Sequence, residues 1–169
     1  MSFKLRPEVD EWFSRISRAR TSPLSTKFDS YYICLMMGLA TGRAVQAPSA
    51  IEFVGTFVND YRPAQNIIIG MLVAAEANAQ GVNLGDRIAI QRLLSLYVSP
   101  ESSIGLTSDG FQRLNEYANG GFNEIASSYP EQPWIAADFL EWYLPALELA
   151  VQANRWWTQE QRLVMRNDL

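Results

Sequence analysis

The fold is decided by residues 25–42, which read STKFDSYYICLMMGLATG. Ser25 or Thr26 can cap the start of a helix, because a hydroxyl at this position accepts a hydrogen bond from a free N–H group of the first turn. Gly42 is a typical helix stop, since glycine adopts the left-handed backbone at little cost. Apolar side chains lie on nearly every face between these two ends. The sequence therefore predicts that this helix is central and buried.

The segment before this helix predicts a short strand and a first helix. Residues 3–6, FKLR, alternate apolar and basic side chains, which is the period of an extended strand. Pro7 then suits the first position of a helix. From there the apolar residues recur at intervals of three and four, which places them on one face of a helix. They are Val9, Trp12, Phe13 and Ile16.

The segments that follow predict further helices. Gly120 and Gly121 are expected to interrupt one of them, and Pro145 is expected inside the last. The sequence therefore predicts an all-α chain of about six to eight helices, with at most one short strand, at the N-terminus. The further helices are expected over residues 49–58, 63–81 and 86–98, from residue 107 or 108 onward, and over 134–149.

The chain has no histidine and one cysteine, Cys34, among its 169 residues. Histidine is the usual general base near neutral pH and the commonest metal ligand, so its absence excludes Ser-His-Asp and Cys-His nucleophiles and mixed His/Cys zinc sites. Carboxylate pairs at helical spacing, such as Asp138 and Glu141, are interpreted as surface charge. Cys34 lies in an apolar run and is expected to be an inert buried thiol. We therefore expect no catalytic residue, no metal and no cofactor.

The same composition bears on location. No stretch is long and apolar enough to span a bilayer, and the charged N-terminus is unlike a secretory signal. A lone cysteine suits a reducing compartment. We therefore expect a cytoplasmic protein with no membrane partner.

Charge is distributed unevenly along the single predicted domain, 1–169. Residues 1–43 carry a net charge of +3 and the remaining residues −7, which gives −4 for the chain. We therefore divide the domain into a basic N-terminal unit (1–43), a helical core (44–154) and an aromatic C-terminal tail (155–169). The asymmetry indicates that the N-terminal unit meets an anionic partner, although a solvated basic surface explains it equally well.

The order of strand, helix, turn and capped helix within residues 3–41 resembles the ribbon-helix-helix DNA-binding arrangement. It is also similar to the helical core of the small DNA-binding subunit of bacterial DNA phosphorothioation systems, the DndE-like proteins. This resemblance implies that Lys4 and Arg6 point outward, where they could enter a DNA groove. It also implies that Ser25, Thr26 and Lys27 meet a phosphate at a helix N-terminus. The alternative is a helical hairpin packed on an all-α core, with Lys4 and Arg6 merely solvated.

Three arginines near the end of the first helix extend the candidate DNA-binding surface. Arg18 lies opposite the apolar stripe, Arg15 is offset from it, and Arg20 falls nearer the apolar face at the helix end. Phosphate binding by all three requires the following turn to bring Arg20 round. The alternative is a solvated face that Asp10 and Glu11 partly neutralise.

Trp156 and Trp157 are the candidate partner-binding residues in the C-terminal tail. Tryptophan is favoured at protein interfaces because it buries a large area and keeps a polar N–H group. Two adjacent rings cannot easily face one core, so one is expected to dock within the chain and the other to contact a partner. The alternative is that the tail folds back and buries both.

These observations predict a non-enzymatic subunit of a bacterial DNA-modification or phage-defence assembly that contacts DNA phosphates through its basic N-terminal unit. The bacterial setting is implied by the resemblance alone. The alternative is a protein-binding adaptor or scaffold subunit with no nucleic-acid contact, and a histidine-free enzyme is a third class. Other protein subunits and DNA are the expected partners. The sequence leaves the oligomeric state open.

Overall fold

The computed structural model describes residues 1–19, 21–47, 49–129 and 131–154. Within these ranges the chain is mostly helical, so the all-α class is confirmed. The strands are β1 (Phe3–Leu5) and β2 (Ile51–Val54), and a 3-10 turn covers Arg62–Ala64. The helices are α1 (Pro7–Ser17), α2 (Lys27–Thr41), α3 (Gln65–Ala79), α4 (Arg87–Tyr97), α5 (Ser108–Ser128) and α6 (Ala136–Ala153).

Helix α2 is the buried centre that the sequence predicts. Thr26 caps it: its Oγ1 accepts a hydrogen bond from the Asp29 N–H at 3.1 Å, and the Asp29 carboxylate accepts one from the Thr26 N–H at 2.7 Å. Gly42 ends the helix in the left-handed conformation, at φ 69°. Tyr31, Cys34, Leu35 and Leu39 are all but inaccessible to solvent. Local caps and an apolar surface therefore fix both ends of this helix and its burial.

Helices α2 and α5 approach so closely that only glycine fits between them. A Cβ on Gly38 would overlap the Tyr117 carbonyl, and a Cβ on Gly121 would overlap the Cys34 carbonyl. The expectation that Gly120 and Gly121 interrupt the helix is wrong, because α5 runs unbroken through both. Because glycine has no Cβ, these residues let the two helix backbones come into contact. The local sequence pattern does not indicate this contact.

The two strands form a small antiparallel sheet in place of the helix predicted over residues 49–58. The register pairs Phe3 with Val54 and Lys4 with Glu52. The helix prediction is wrong because so short an apolar run fits either period, and β1 supplies the backbone partner that makes β2 a strand. The expectation of at most one strand is wrong for the same reason.

The Phe3 side chain packs this sheet against the hydrophobic core. Its ring is fully buried, and its centroid lies between 4.7 and 5.2 Å from those of four other aromatic rings. Edge-to-face and tilted contacts of this kind add to the free energy of apolar burial. The four rings belong to Phe28, Tyr31, Phe57 and Phe111.

The remaining helices start close to where the sequence predicts. The Asp86 side chain caps α4 and the Thr107 hydroxyl caps α5, each by accepting backbone N–H bonds. Pro145 lies inside α6, as expected. None of the helices that the structure describes is long and apolar enough to cross a membrane.

Candidate functional site

A cleft of about 210 Å³ between the end of α1 and the start of α2 brings together four of the residues predicted to bind nucleic acid. We call it the α1–α2 cleft. The four are Arg18, which follows α1, and Ser25, Thr26 and Lys27 at the start of α2. The other polar residues that line it are Asp10, Ser14, Ser17 and Ser30.

The start of α2 supplies backbone donors to this cleft. The first N–H groups of a helix have no partner within the helix, and the helix dipole places partial positive charge there. The Thr26 and Asp29 N–H groups are taken by the capping box. The Lys27 and Phe28 N–H groups bond to no other described residue. This arrangement favours an anion.

The side chains of the cleft carry both signs of charge. Lys27 is paired with Asp10 across the cleft. Arg18 is exposed and pairs with no carboxylate among the residues that the structure describes. Ser30 is only 3% exposed, and its hydroxyl makes no hydrogen bond with any described residue. The cleft therefore offers a ligand the Arg18 cation, which pairs with no described carboxylate, and the Ser30 side chain in its wall.

The other two predicted arginines are placed differently. Arg15 lies on α1, where its guanidinium stacks 3.9 Å from the centre of the Trp134 ring. Both side chains are exposed, so this cation–π contact leaves the Arg15 charge accessible to a ligand. Arg20 lies outside the described residues, as do Trp156 and Trp157.

Of the outward-pointing pair that the resemblance implies, Lys4 faces away from the buried Phe3 and Leu5, whereas Arg6 does not point outward. Lys4 is half-exposed and forms an ion pair with Glu52 at 3.3 Å, across the sheet. Arg6 is turned onto α5, where it donates to Asn123 at 2.8 Å and lies 5.3 Å from the Phe122 ring. The expectation that Arg6 points outward is therefore wrong. The reason is that β1 lies between β2 and α5 of its own chain, so few directions are open to its side chains.

A second polar site, which the sequence analysis missed, lies where α3, α4 and α5 meet. Glu76 is 2% exposed and accepts hydrogen bonds from Arg113 Nε at 2.6 Å and from the Tyr97 and Tyr117 hydroxyls at 2.7 Å each. Arg113 also donates from Nη1 to Glu116 at 2.7 Å. We call these five residues the Glu76 cluster. It joins three helices through one carboxylate.

The protonation of the cluster follows from these contacts. Burial by itself raises the pKa of Glu76, but the hydrogen bonds from Arg113, Tyr117 and Tyr97 outweigh it and hold the pKa below its ordinary value of 4.5. Burial and the bond to Glu76 raise the pKa of Tyr97 to about 12. The cluster is therefore an ionised carboxylate among protonated donors, an arrangement that holds helices together rather than transferring a proton.

One sequence signal could have found this cluster. Glu76 is the only charged residue in α3, which reads QNIIIGMLVAAEANA. A lone carboxylate in an uncharged helix is rarely buried unless it is paired. Its partners could not have been named, because Tyr97 and Arg113 lie on other helices.

Two further sequence expectations concern reactive groups. Cys34 is fully buried, and burial raises the pKa of its thiol. Across residues 1–19, 21–47, 49–129 and 131–154, no group of three or more histidine, cysteine, aspartate or glutamate side chains is placed to hold a metal ion.

A scan against protein-family models, a search of the curated proteins and a search of the solved structures each gave no match for this chain. The chemistry of its own residues is therefore the basis for assigning a role to these sites.

Proposed function

We propose that this protein is a non-enzymatic subunit that contacts the phosphate backbone of DNA through the α1–α2 cleft. The observation that supports this best is that Arg18, Lys27 and the α2 N-terminus line one cleft. Helix N-termini bind phosphate through free N–H groups, and an unpaired arginine adds a charge-assisted bond. Arg15 extends this basic surface one turn along α1.

The proposed DNA contact is confined to one part of the protein, because the chain as a whole carries a net charge of −4. Proteins that bind nucleic acid without a partner usually present more positive charge than this. The basic unit, residues 1–43, carries +3 and supplies the phosphate contacts. Other subunits then supply the rest of the binding surface and any chemistry.

The proposed setting is a bacterial DNA-modification or phage-defence assembly in the cytoplasm. It depends on the resemblance of residues 3–41 to the DndE-like proteins. The α1–α2 cleft gives the phosphate contact physical support of its own. The proposed phosphate contact therefore does not depend on the bacterial setting.

The test is binding of a short DNA duplex, measured by fluorescence anisotropy over a range of salt concentrations. Changing Arg18→Ala together with Lys27→Ala removes both cations of the cleft. We expect weaker binding at low salt and a slope of log affinity against log salt that falls by about one, for the phosphate contact of Arg18, because Lys27 is already paired with Asp10.

The matched control is Arg87→Ala together with Arg92→Ala, which removes two exposed arginines from α4. It lowers the net charge equally, so any difference between the two variants reports contacts in the cleft. Equal loss in both variants would contradict the cleft as the site. No binding by the wild-type chain at low salt, alone or with a co-purified partner, would leave the adaptor function.

The adaptor function is the second candidate because α6 and the residues before it expose large apolar side chains. Trp134 is 69% exposed and Leu149 66% exposed, and Ile135 and Leu144 are exposed as well. Exposed apolar groups of this size are typical of surfaces that contact another protein. In this alternative, Trp156 and Trp157 supply further contacts.

A further inference from the structure

Helix α3 presents an uncharged face to solvent, which is unusual for a helix at a protein surface. It reads QNIIIGMLVAAEANA, and its one charged residue, Glu76, is buried. The exposed sides of α1, α4 and α6 each carry charge, for example at Arg15, Arg92 and Glu148. A helix that is apolar on all sides is ordinarily covered on all sides. The outward side of α3 therefore indicates a partner.

The centre of this outward side is formed by four residues at intervals of three and four, which share one face of a helix. They are Ile67, Gly70, Met71 and Ala74, and we call them the α3 face. Ile67 is 66% exposed, Gly70 is exposed, and the other two are half-buried. The exposed Asn78 follows them at the end of the helix. An apolar centre with a polar edge is the usual composition of a protein interface.

Large and small side chains alternate along the α3 face. Ile67 and Met71 are large, whereas Gly70 and Ala74 leave the helix backbone close to the surface. The space beside Gly70 is open, because a Cβ at this position would meet no atom within 4 Å apart from the backbone of its own helix. The α3 face therefore has two ridges and two recesses, the shapes by which helices pack against one another.

The order of these four residues makes the α3 face complementary to itself. In an antiparallel pair of α3 helices, a two-fold axis between Gly70 and Met71 places Met71 of one copy against Gly70 of the other. The same axis places Ile67 of one copy against Ala74 of the other. Every contact then joins a large side chain to a small one, which leaves no gap. A parallel pair would instead place each residue against its own counterpart and leave a void at Gly70.

Charge also favours a second copy of this chain as the partner. The chain carries a net charge of −4, so two copies repel one another over most of their surfaces. The α3 face has no charge, so two such faces meet without repulsion and without burying an ion. A charged partner would lose its hydration against the α3 face and find nothing to pair with. The partner must therefore present an uncharged face, as a second α3 does.

We infer that this protein forms a two-fold symmetric dimer through the α3 face. In such an interface the same patch of both copies takes part, and each contact occurs twice. A single helix face is smaller than the interface of a permanent dimer, so the dimer is expected to exchange with the monomer at micromolar concentrations. The inference is independent of the proposed phosphate contact, because the α1–α2 cleft contains no residue of α3.

The test is sedimentation velocity of the full chain at concentrations from about 1 µM to about 500 µM, over which a micromolar dimer forms. The sedimentation coefficient should rise from that of a monomer towards that of a dimer. Ile67→Glu would bury an unpaired carboxylate from each copy, and should weaken the dimer about tenfold or more. The matched control is Leu149→Glu on α6, which adds the same charge at a side chain that is also 66% exposed. It should associate as the wild type does.

A cross-link tests the position of the two-fold axis. Gly70→Cys places a thiol beside the axis, so mild oxidation by added copper phenanthroline should join two chains through a disulfide. Cys34 is fully buried, so the wild-type chain should give no cross-linked dimer under the same conditions. Leu149→Cys, which exposes a thiol away from the axis, is the second control and should give none either.

Three results would each overturn the inference. The first is a wild-type chain that stays monomeric at every concentration, which would leave a protein of another kind as the partner of the α3 face. The second is a dimer that Ile67→Glu leaves intact or that Leu149→Glu weakens equally. The third is cross-linking of Leu149→Cys as fast as that of Gly70→Cys. Urea denaturation of each variant shows that it folds.

Discussion

In the Glu76 cluster, a carboxylate that is 2% exposed accepts three hydrogen bonds at 2.6–2.7 Å from residues of two other helices. In the α1–α2 cleft, by contrast, Arg18 is exposed and has no described carboxylate partner, and the Ser30 hydroxyl bonds to no described residue. The polar groups of the Glu76 cluster are therefore bonded to one another. The polar groups of the α1–α2 cleft are available to bind a ligand.

This difference separates charge that holds the fold together from charge that can meet a ligand. A buried charge must be paired, because leaving one partner alone in the interior costs several kcal/mol. An exposed charge pays no such cost and contributes little to stability. We therefore expect substitutions in the Glu76 cluster to change unfolding, and substitutions in the α1–α2 cleft to change binding.

The largest effect is expected for Glu76→Ala. It removes the common acceptor of Arg113, Tyr97 and Tyr117, and should lower the free energy of unfolding by about 3 kcal/mol. Urea denaturation of the full chain measures this. The control is Glu141→Ala on the exposed face of α6, which should change stability by no more than about 0.5 kcal/mol. Equal small effects would remove the distinction between the two regions.

A smaller effect is expected when pH is varied. The pKa of Glu76 is lower in the folded chain than its ordinary value of 4.5, so the carboxylate adds stability above pH 4.5 that is lost as pH falls through the folded-state pKa. The gap in unfolding free energy between the wild type and Glu76→Gln should therefore narrow below pH 4.5. A gap that stays constant from pH 7 to pH 3 would show that ionisation of Glu76 is not what holds the helices.

The smallest change in stability is expected for Arg18→Ala. Its guanidinium is exposed and unpaired within the described residues, so the free energy of unfolding should change by no more than about 0.5 kcal/mol. The same urea measurement checks this. A loss above about 2 kcal/mol would place Arg18 with the structural charges and weaken the case for the α1–α2 cleft.

Some of the candidate site could be predicted from the sequence. Ser25, Thr26 and Lys27 were placed correctly at the start of a helix, because capping depends on a few neighbouring residues. Arg6 was not, since its direction is set by Asn123 and Phe122, more than a hundred positions away.

The sequence by itself determined the all-α class, the boundaries of α2 and the lack of histidine chemistry. Each of these depends on composition or on residues within a few positions of one another. Only the tertiary structure decided that residues 51–54 pair with β1, that Gly121 lies against the Cys34 carbonyl, and that Glu76 joins three helices. Each of these features is a contact between residues that are far apart in the sequence. Local periodicity and secondary-structure propensity do not indicate which distant residues will come into contact.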